Sequence, residues 1–314
     1  MATKTLTYIA GPEDEGKYIK EILRSRMDFS VKLVTKVKYH GELLLNGQHT
    51  TVKQKLWPGD VLTVQYPEEE SYFEPQDIPI DVVYEDSDLL LVNKQAGLIV
   101  HPTYNFPTGT LANAITYYMQ QKDEVYKLRF VNRLDMYTSG IVIVAKNSHA
   151  QDRISVQMQE NTTVKQYLAI VHGVMEGSGT VDLPIDKDPN HKARRMVTPD
   201  GYPSVTHWEV LETFPGIRYG QIEGFSLLRL KLDTGRTHQI RVHLTHLGHP
   251  IVGDELYGQL YGYEVQPEWM PRQALHAAHL EIAHPVTGEK IAADAPLPED
   301  MQKCLEKLRN WTEG

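Results

Sequence analysis

The sequence predicts an α+β protein: a mixed, mostly antiparallel β-sheet with flanking helices, preceded by a small N-terminal α/β unit. Three observations carry this. From residue 81 onward, apolar runs of strand length recur in clusters separated by turn residues. Helical periodicity is confined to short stretches placed irregularly among them, which argues against a doubly wound parallel sheet. Residues 1–66 carry two helical stretches and a strand-and-turn pattern whose charge differs from that of the remainder.

In the N-terminal unit, GKYIKEILRSRM (16–27) places Tyr18, Ile19, Ile22 and Leu23 on one side of a helix, with Lys17, Lys20 and Arg24 opposite. SVKLVTKVKY then turns Leu33, Val34 and Val37 inward, with Val31 at the edge and Lys32 and Lys36 outward; Gly41 stops the helix. Asn46-Gly47 is a strong hairpin signal. WPGD (57–60) is a second turn and VLTVQY a strand. This unit resembles the alpha-L RNA-binding domain of a small-subunit ribosomal protein and of many RNA-modifying enzymes. The resemblance implies RNA contact by Lys17, Arg24, Lys32 and Lys36. Net charge is -9, which by itself argues against nucleic acid. The charge is uneven, however: residues 1–66 hold ten Lys or Arg against seven Asp or Glu, and the remainder holds 22 against 34. A local basic surface can hold phosphates on an acidic molecule.

PEEESYFEPQDIP is acidic, proline-bearing and aperiodic, so 67–80 reads as an extended linker to a large domain over 81–314. There, DVVYEDSDLLLVNK reads as a hairpin, LANAITYYMQ as a helix, FVNRLDMYTSGIVIVAKN as strand, loop and β-branched strand, and HAQDRISVQMQE as a helix. KQYLAIVHG, SVTHWEVLET, FSLLRLKLDTG and LHAAHLEIAHP read as strands, with the helix THQIRVHLTHLG before the last. PEDMQKCLEKLRNW is a closing amphipathic helix.

Composition bounds the function classes. With 41% hydrophobic and 23% charged residues, the chain is globular rather than disordered. Its one cysteine, Cys304, excludes a disulfide framework or a cysteine-rich zinc site. No run approaches the roughly 18 apolar residues of a membrane helix, and the N-terminus lacks an apolar leader core. A cytoplasmic protein without membrane partners fits this, and nothing demands more than a monomer.

The chemistry is concentrated in NRLDMYTSG (132–140), where Arg133 and Asp135 share a short polar loop. An aspartate held beside basic groups stays ionised and can act as nucleophile or base; on residue type alone, a turn-capping role serves equally well. The string resembles the H/N-R-L-D-x-x-T-S-G signature of the RluA-type pseudouridine synthases. Four further blocks agree in order: NKQAGLIVHP (93–102), VKQYLAIVHG (164–173), LDTGRTHQIRVHLTHLGHPIVGDELYG (232–258) and LHAAHLEIAHPVTGE (275–289). Departures are Gln95 for the usual proline, Asn132 for the commoner histidine, and Tyr137 for a small or acidic residue.

The resemblance implies a pseudouridine-synthase-like fold and the isomerisation of uridine to its C-glycoside in ribosomal or transfer RNA. It implies Asp135 as the catalytic carboxylate, Tyr167 as the ring stacked on the target base, and Arg241 as the partner of Asp135. Arg133 would hold the flipped nucleotide or fill the gap it leaves, and Arg236 and His238 would shape the pocket. The reaction needs no redox change, energy source or metal, so no cofactor is expected. It does need the base flipped out of its stack, at a cost of a few kcal/mol. Two routes stay open on residues alone: addition of Asp135 to C1′, or removal of the 2′ proton. The histidines 238, 243, 246 and 249 invite a metal reading, but their spacing and the lack of His-Glu-x-x-His favour structural or RNA-contacting roles.

Overall fold

The computed structural model describes residues 3–67, 73–219, 222–261 and 267–311. It opens with β1 (Thr3–Ile9), α1 (Ile19–Ser25), α2 (Val31–His40), β2 (Glu42–Leu45), β3 (Gln48–His49) and β4 (Val61–Pro67). The strands form one antiparallel sheet ordered β1-β4-β2-β3. α1 buries Ile19, Ile22 and Leu23 completely. Tyr18, expected inward, sits just before the helix and is 39% exposed. The Ser30 hydroxyl accepts from the Leu33 N–H at 3.2 Å, starting α2, which ends at Gly41. Leu33 and Val37 join a core with Leu43, Leu62 and Val64. Asn46 and Gly47 both take positive φ, as the β2–β3 turn requires.

The stretch read as linker is not uniform. Residues 68–72 lie outside the described residues, and 73–80 have no regular structure. Phe73, Ile78 and Ile80 nevertheless pack on the following core, and the Asn113 amide donates to the Glu74 carbonyl at 2.8 Å.

The large unit continues with β5 (Asp81–Glu85), β6 (Leu89–Lys94), α3 (Leu111–Gln121), β7 (Arg129–Phe130), β8 (Ser139–Ala145), α4 (Ser148–Gln159), β9 (Val164–His172), β10 (Ser178–Asp182), β11 (Ile185–Lys187) and β12 (Arg195–Val197). It ends with β13 (Val205–Tyr219), β14 (Ile222–Leu232), α5 (Gln239–His246), α6 (Glu255–Gly258), β15 (Leu275–Ala283), β16 (Lys290–Asp294) and α7 (Glu299–Arg309). Ten strands form a sheet ordered β10-β13-β14-β9-β15-β8-β6-β5, with β16 on β15 and β7 on β8. Its ladders are antiparallel except for the parallel β8–β15 contact. The architecture is the mixed, mostly antiparallel one expected.

Alternation along β6 and β8 divides the core. Leu90, Val92, Val142 and Val144 face α3, where Leu111, Ile115 and Met119 meet them. Leu89, Leu91, Ile141 and Ile143 face α4, with Ala150 and Ile154. Both faces of β8 are therefore covered, which is why SGIVIVA is apolar after its first residues and buried throughout. Beyond β15, Ile170, Phe225, Leu228 and Leu230 pack with Ile240 and Leu244 of α5 and with Met301, Cys304 and Leu305 of α7. α4 also meets the N-terminal unit: Arg153 pairs with Asp28 at 3.1 Å, and the His149 ring lies 5.2 Å from that of Phe29.

The β8–β15 contact positions the loop before β8. Its register pairs Ser139 with His276 and Gly140 with Ala277. Gly140 has φ 112, and a Cβ there would lie 2.2 Å from the Ala277 carbonyl oxygen. Gly140→Ala is expected to cost on the order of 3 kcal/mol or more, from backbone strain plus overlap. Gly288 also has positive φ but faces open space, so Gly288→Ala should cost only about 1–2 kcal/mol. Urea denaturation of both variants checks this; equal losses would contradict the close approach.

Candidate active site

Asp135 stands on the loop entering β8. Four contacts fix the backbone around it. Gly97 N–H donates to the Met136 carbonyl at 2.9 Å, and the Lys94 ammonium reaches the same oxygen at 3.1 Å. Arg272 Nη1 donates to the Tyr137 carbonyl at 3.0 Å, and Thr138 N–H closes the turn onto the Asp135 carbonyl at 3.1 Å. Lys94 is fully buried and also donates to the carbonyls of Gln95 and Leu98 at 3.0 and 2.9 Å. Burial, with Arg272 adding to it, pushes the Lys94 ammonium down to about 7, while Asp135 pulls the other way. One side chain thus ties the 93–98 turn to the Asp135 loop.

Arg241 comes from α5. Its Nη1 donates to Asp135 Oδ2 at 2.9 Å, and its Nε and Nη2 grip Asp254 at 2.7 and 2.9 Å. Arg241 is 7% exposed, Asp254 1% and Asp135 27%. Burial opposes the charge on Arg241, but the two carboxylates overcome it and the guanidinium stays protonated. Its face also lies 4.9 Å from the centre of the Tyr257 ring. The fork geometry of arginine suits this double role: one edge is locked on Asp254, and Nη1 remains to donate to Asp135.

His238 precedes α5 in a left-handed conformation, φ 58. Its Nδ1 lies 3.0 Å from the Tyr257 hydroxyl, which itself accepts from the Arg195 N–H at 2.9 Å. Burial pushes the imidazole pKa down, despite Asp135 nearby. Its Nε2 lies 3.8 Å from Asp135 Oδ2, beyond hydrogen-bond reach. Tyr167, on β9, is half-buried. Burial, then Asp135, pushes its hydroxyl up to about 12, so it is protonated at neutral pH.

Asp135 and Tyr167 open on a cleft of about 1450 Å³, behind whose lining Arg241 and His238 lie. Its lining includes Asp135, Tyr167, Arg133 and Arg236, together with Lys32 and Lys36 of α2. Seven lining residues are Lys or Arg and three are Asp, so the cleft is basic on an acidic molecule. Arg133 is exposed at the loop. Arg236 donates from Nε to the Pro203 carbonyl at 3.4 Å and lies over Tyr202. Of the ten sequence candidates, Arg241 and His238 stand behind the lining beside Asp135, and two more are elsewhere. Lys17 is committed to the buried Asp14, which also binds Arg26, and neither Lys17 nor the exposed Arg24 is among the lining residues.

The remaining histidines have local tasks. His243 is bonded to Thr206 Oγ1 at 2.8 Å and to the Leu183 carbonyl at 2.9 Å; His249 is bonded to the His172 carbonyl at 2.9 Å. His243 is buried while His246 is exposed, so they offer no common ligand face. Sequence reasoning missed Asp254, Tyr257 and Lys94, although all three lie inside the blocks that carried the resemblance. An aspartate 13 residues after Arg241, opening a short helix, was the available signal.

Residues 88–246 match the family described as RNA pseudouridylate synthase. This span contains Asp135, Tyr167, His238 and Arg241. A ribosomal large subunit pseudouridine synthase D of Haemophilus ducreyi is 39% identical over 81% of this chain and 79% of its own length. The chain belongs to the RNA pseudouridylate synthase family. The corresponding synthase D of Escherichia coli K12 is 37% identical over 95% of this chain and 87% of its own. An uncharacterized RNA pseudouridine synthase of Bacillus subtilis is 39% identical over 89% and 95%. Among solved structures, human RNA pseudouridylate synthase domain containing 1 superposes with a TM-score of 0.56 at 27% identity, covering 77% of this chain and all of that one. The protein is thus an isomerase that converts uridine in RNA to pseudouridine.

Asp254→Asn tests the grip on Arg241. A buried ion pair that loses one charge costs about 3–5 kcal/mol. Misplacing a catalytic group by an ångström costs roughly a hundredfold in rate. Pseudouridine formation per folded molecule should fall roughly ten- to a hundredfold, with a lowered melting temperature. Full turnover per folded Asp254→Asn molecule would contradict the clamp.

Proposed function

We propose that this enzyme isomerises uridines of large-subunit ribosomal RNA, with Asp135 as the reacting carboxylate. The observation that carries the reading is the Asp254–Arg241–Asp135 chain at a basic cleft. The substrate class is supported by relatives named ribosomal large subunit pseudouridine synthase D. The extruded uridine enters the cleft with C1′ toward Asp135 and its base against Tyr167. Asp135 breaks N1–C1′ either by adding to C1′ or by taking the 2′ proton to give a glycal; both routes require an ionised carboxylate, and Arg241 donates to it at 2.9 Å. The base leaves with the bonding electron pair, turns in place, and bonds through C5 to C1′ as the Asp135–C1′ ester bond breaks or, on the glycal route, as Asp135 returns the proton to C2′. The C5 proton is then lost and N1 regains one. Because the Tyr167 hydroxyl is protonated at neutral pH, its ring carries the role assigned here: stacking on the detached base.

Arg133 and Arg236 hold the flipped nucleotide and its neighbours, and His238 shapes the pocket wall as a neutral ring. The N-terminal unit over 1–66 binds RNA, with Lys32 and Lys36 its most direct contacts because both line the cleft. One chain supplies every group named, which supports action as a monomer. The compartment that fits is the cytoplasm, where bacterial ribosomal RNA is made.

The test is a pseudouridine map of cellular RNA with and without the gene, complemented by wild type or Asp135→Asn. Wild type should restore specific pseudouridines in large-subunit RNA, and Asp135→Asn none while still binding RNA. Restored sites in transfer RNA alone would redirect the substrate; restoration by Asp135→Asn would remove Asp135 from the chemistry. Lys32→Gln with Lys36→Gln should raise KM and flatten the salt dependence of binding by about 1.4–1.8 in log–log slope, leaving kcat unchanged.

A further inference from the structure

We propose that Lys165 is a phosphate ligand, its ammonium holding a phosphodiester of the flipped nucleotide while Tyr167 covers the base. This rests on the reading that the cleft receives that nucleotide. Lys165 and Tyr167 are two apart on β9, so their side chains leave the same face of the strand, and both line the cleft. Roots two residues apart are separated by about 6–7 Å, comparable to the span from a nucleotide's base to its own phosphate.

Lys165 differs from its basic neighbours. Arg129 donates to the Lys127 carbonyl, and Arg236 donates to Pro203 and covers Tyr202. Arg133 is exposed to water. Lys165 is half-buried, and its ammonium has no hydrogen-bond or ion-pair partner among the described residues. Burial pushes its pKa down, and only the more distant charge of Asp233, itself bonded to His207, opposes that. A partly desolvated ammonium without a partner is unfavourable on its own. An anion entering the cleft removes that penalty. The anion an RNA brings there is phosphate, and a compact ammonium binds it as a point charge. The β9 register points the same way. Lys165 pairs with Leu280, and Tyr167 with Leu230 and Ala277, so no strand neighbour offers a carboxylate on this pair of positions.

The experiment uses the full-length protein and a stem–loop transcript spanning a uridine it modifies. Binding is measured across a salt series for wild type, Lys165→Gln and Lys165→Arg. Lys165→Gln is expected to weaken binding roughly tenfold at low salt. It should also lower the log–log salt slope by about 0.7–0.9, one phosphate contact. Lys165→Arg should keep the slope. A methylphosphonate at the linkage flanking the target should weaken wild type and leave Lys165→Gln unaffected. An unchanged slope in Lys165→Gln, or a methylphosphonate penalty equal in both proteins, overturns the assignment. If wild type converts no uridine in any transcript, the underlying reading fails instead, and that result is separable because it requires no variant.

Discussion

The site depends on one guanidinium divided between two carboxylates. Arg241 sits where water is scarce, and a single buried charge there would be prohibitive without a partner. Asp254, almost fully buried, neutralises it through two parallel hydrogen bonds and fixes its plane. An N–H on Nη1 then meets Asp135 from a fixed direction. The three groups together carry one net negative charge, and Asp135 is the member open to the cleft. The role proposed for Asp135 requires that it not be locked on both oxygens. Here one oxygen accepts from Arg241 and the group keeps a solvent-facing side.

The fold serves that arrangement by bringing distant segments together. Asp135 precedes β8, Arg241 lies on α5 and Tyr167 on β9, and β15 stands between β8 and β9. The parallel β8–β15 contact, possible because Gly140 lacks a side chain, sets the loop height. Lys94 and Arg272 then bind the loop's carbonyls. Both cations act on backbone oxygens, so they shape the loop without competing for the Asp135 carboxylate.

Much of this was legible in the sequence for a physical reason. The chemistry needs particular side chains at fixed offsets on loops and strand ends, and such offsets survive as short strings. Asp135, Tyr167 and Arg241 stand out that way, and the fold brings Arg241 to Asp135 and places Tyr167 on the same cleft. What was not legible depended on contacts between separate segments. Asp254 and Lys94 lay inside the informative strings, but their tasks follow only from which atoms they reach. Ser139 bonding His276, 137 residues away, has no local signal. Periodicity places Lys17 outward but does not reveal its bond to the buried Asp14. Tyr18, expected inward, lies before α1 rather than within it. The strands β10 to β12 and β16, only three to five residues long, carry too little alternation to read.

The most direct test of the central claim is a crystal structure of the enzyme bound to an RNA carrying its target uridine. The account expects that nucleotide extruded into the cleft, the free oxygen of Asp135 about 3–3.5 Å from C1′ or the 2′ carbon, and Arg241 still gripping Asp254. A target uridine that remains stacked in its helix, or an Asp135 turned away from the sugar with Arg241 bonded to phosphate, would contradict it.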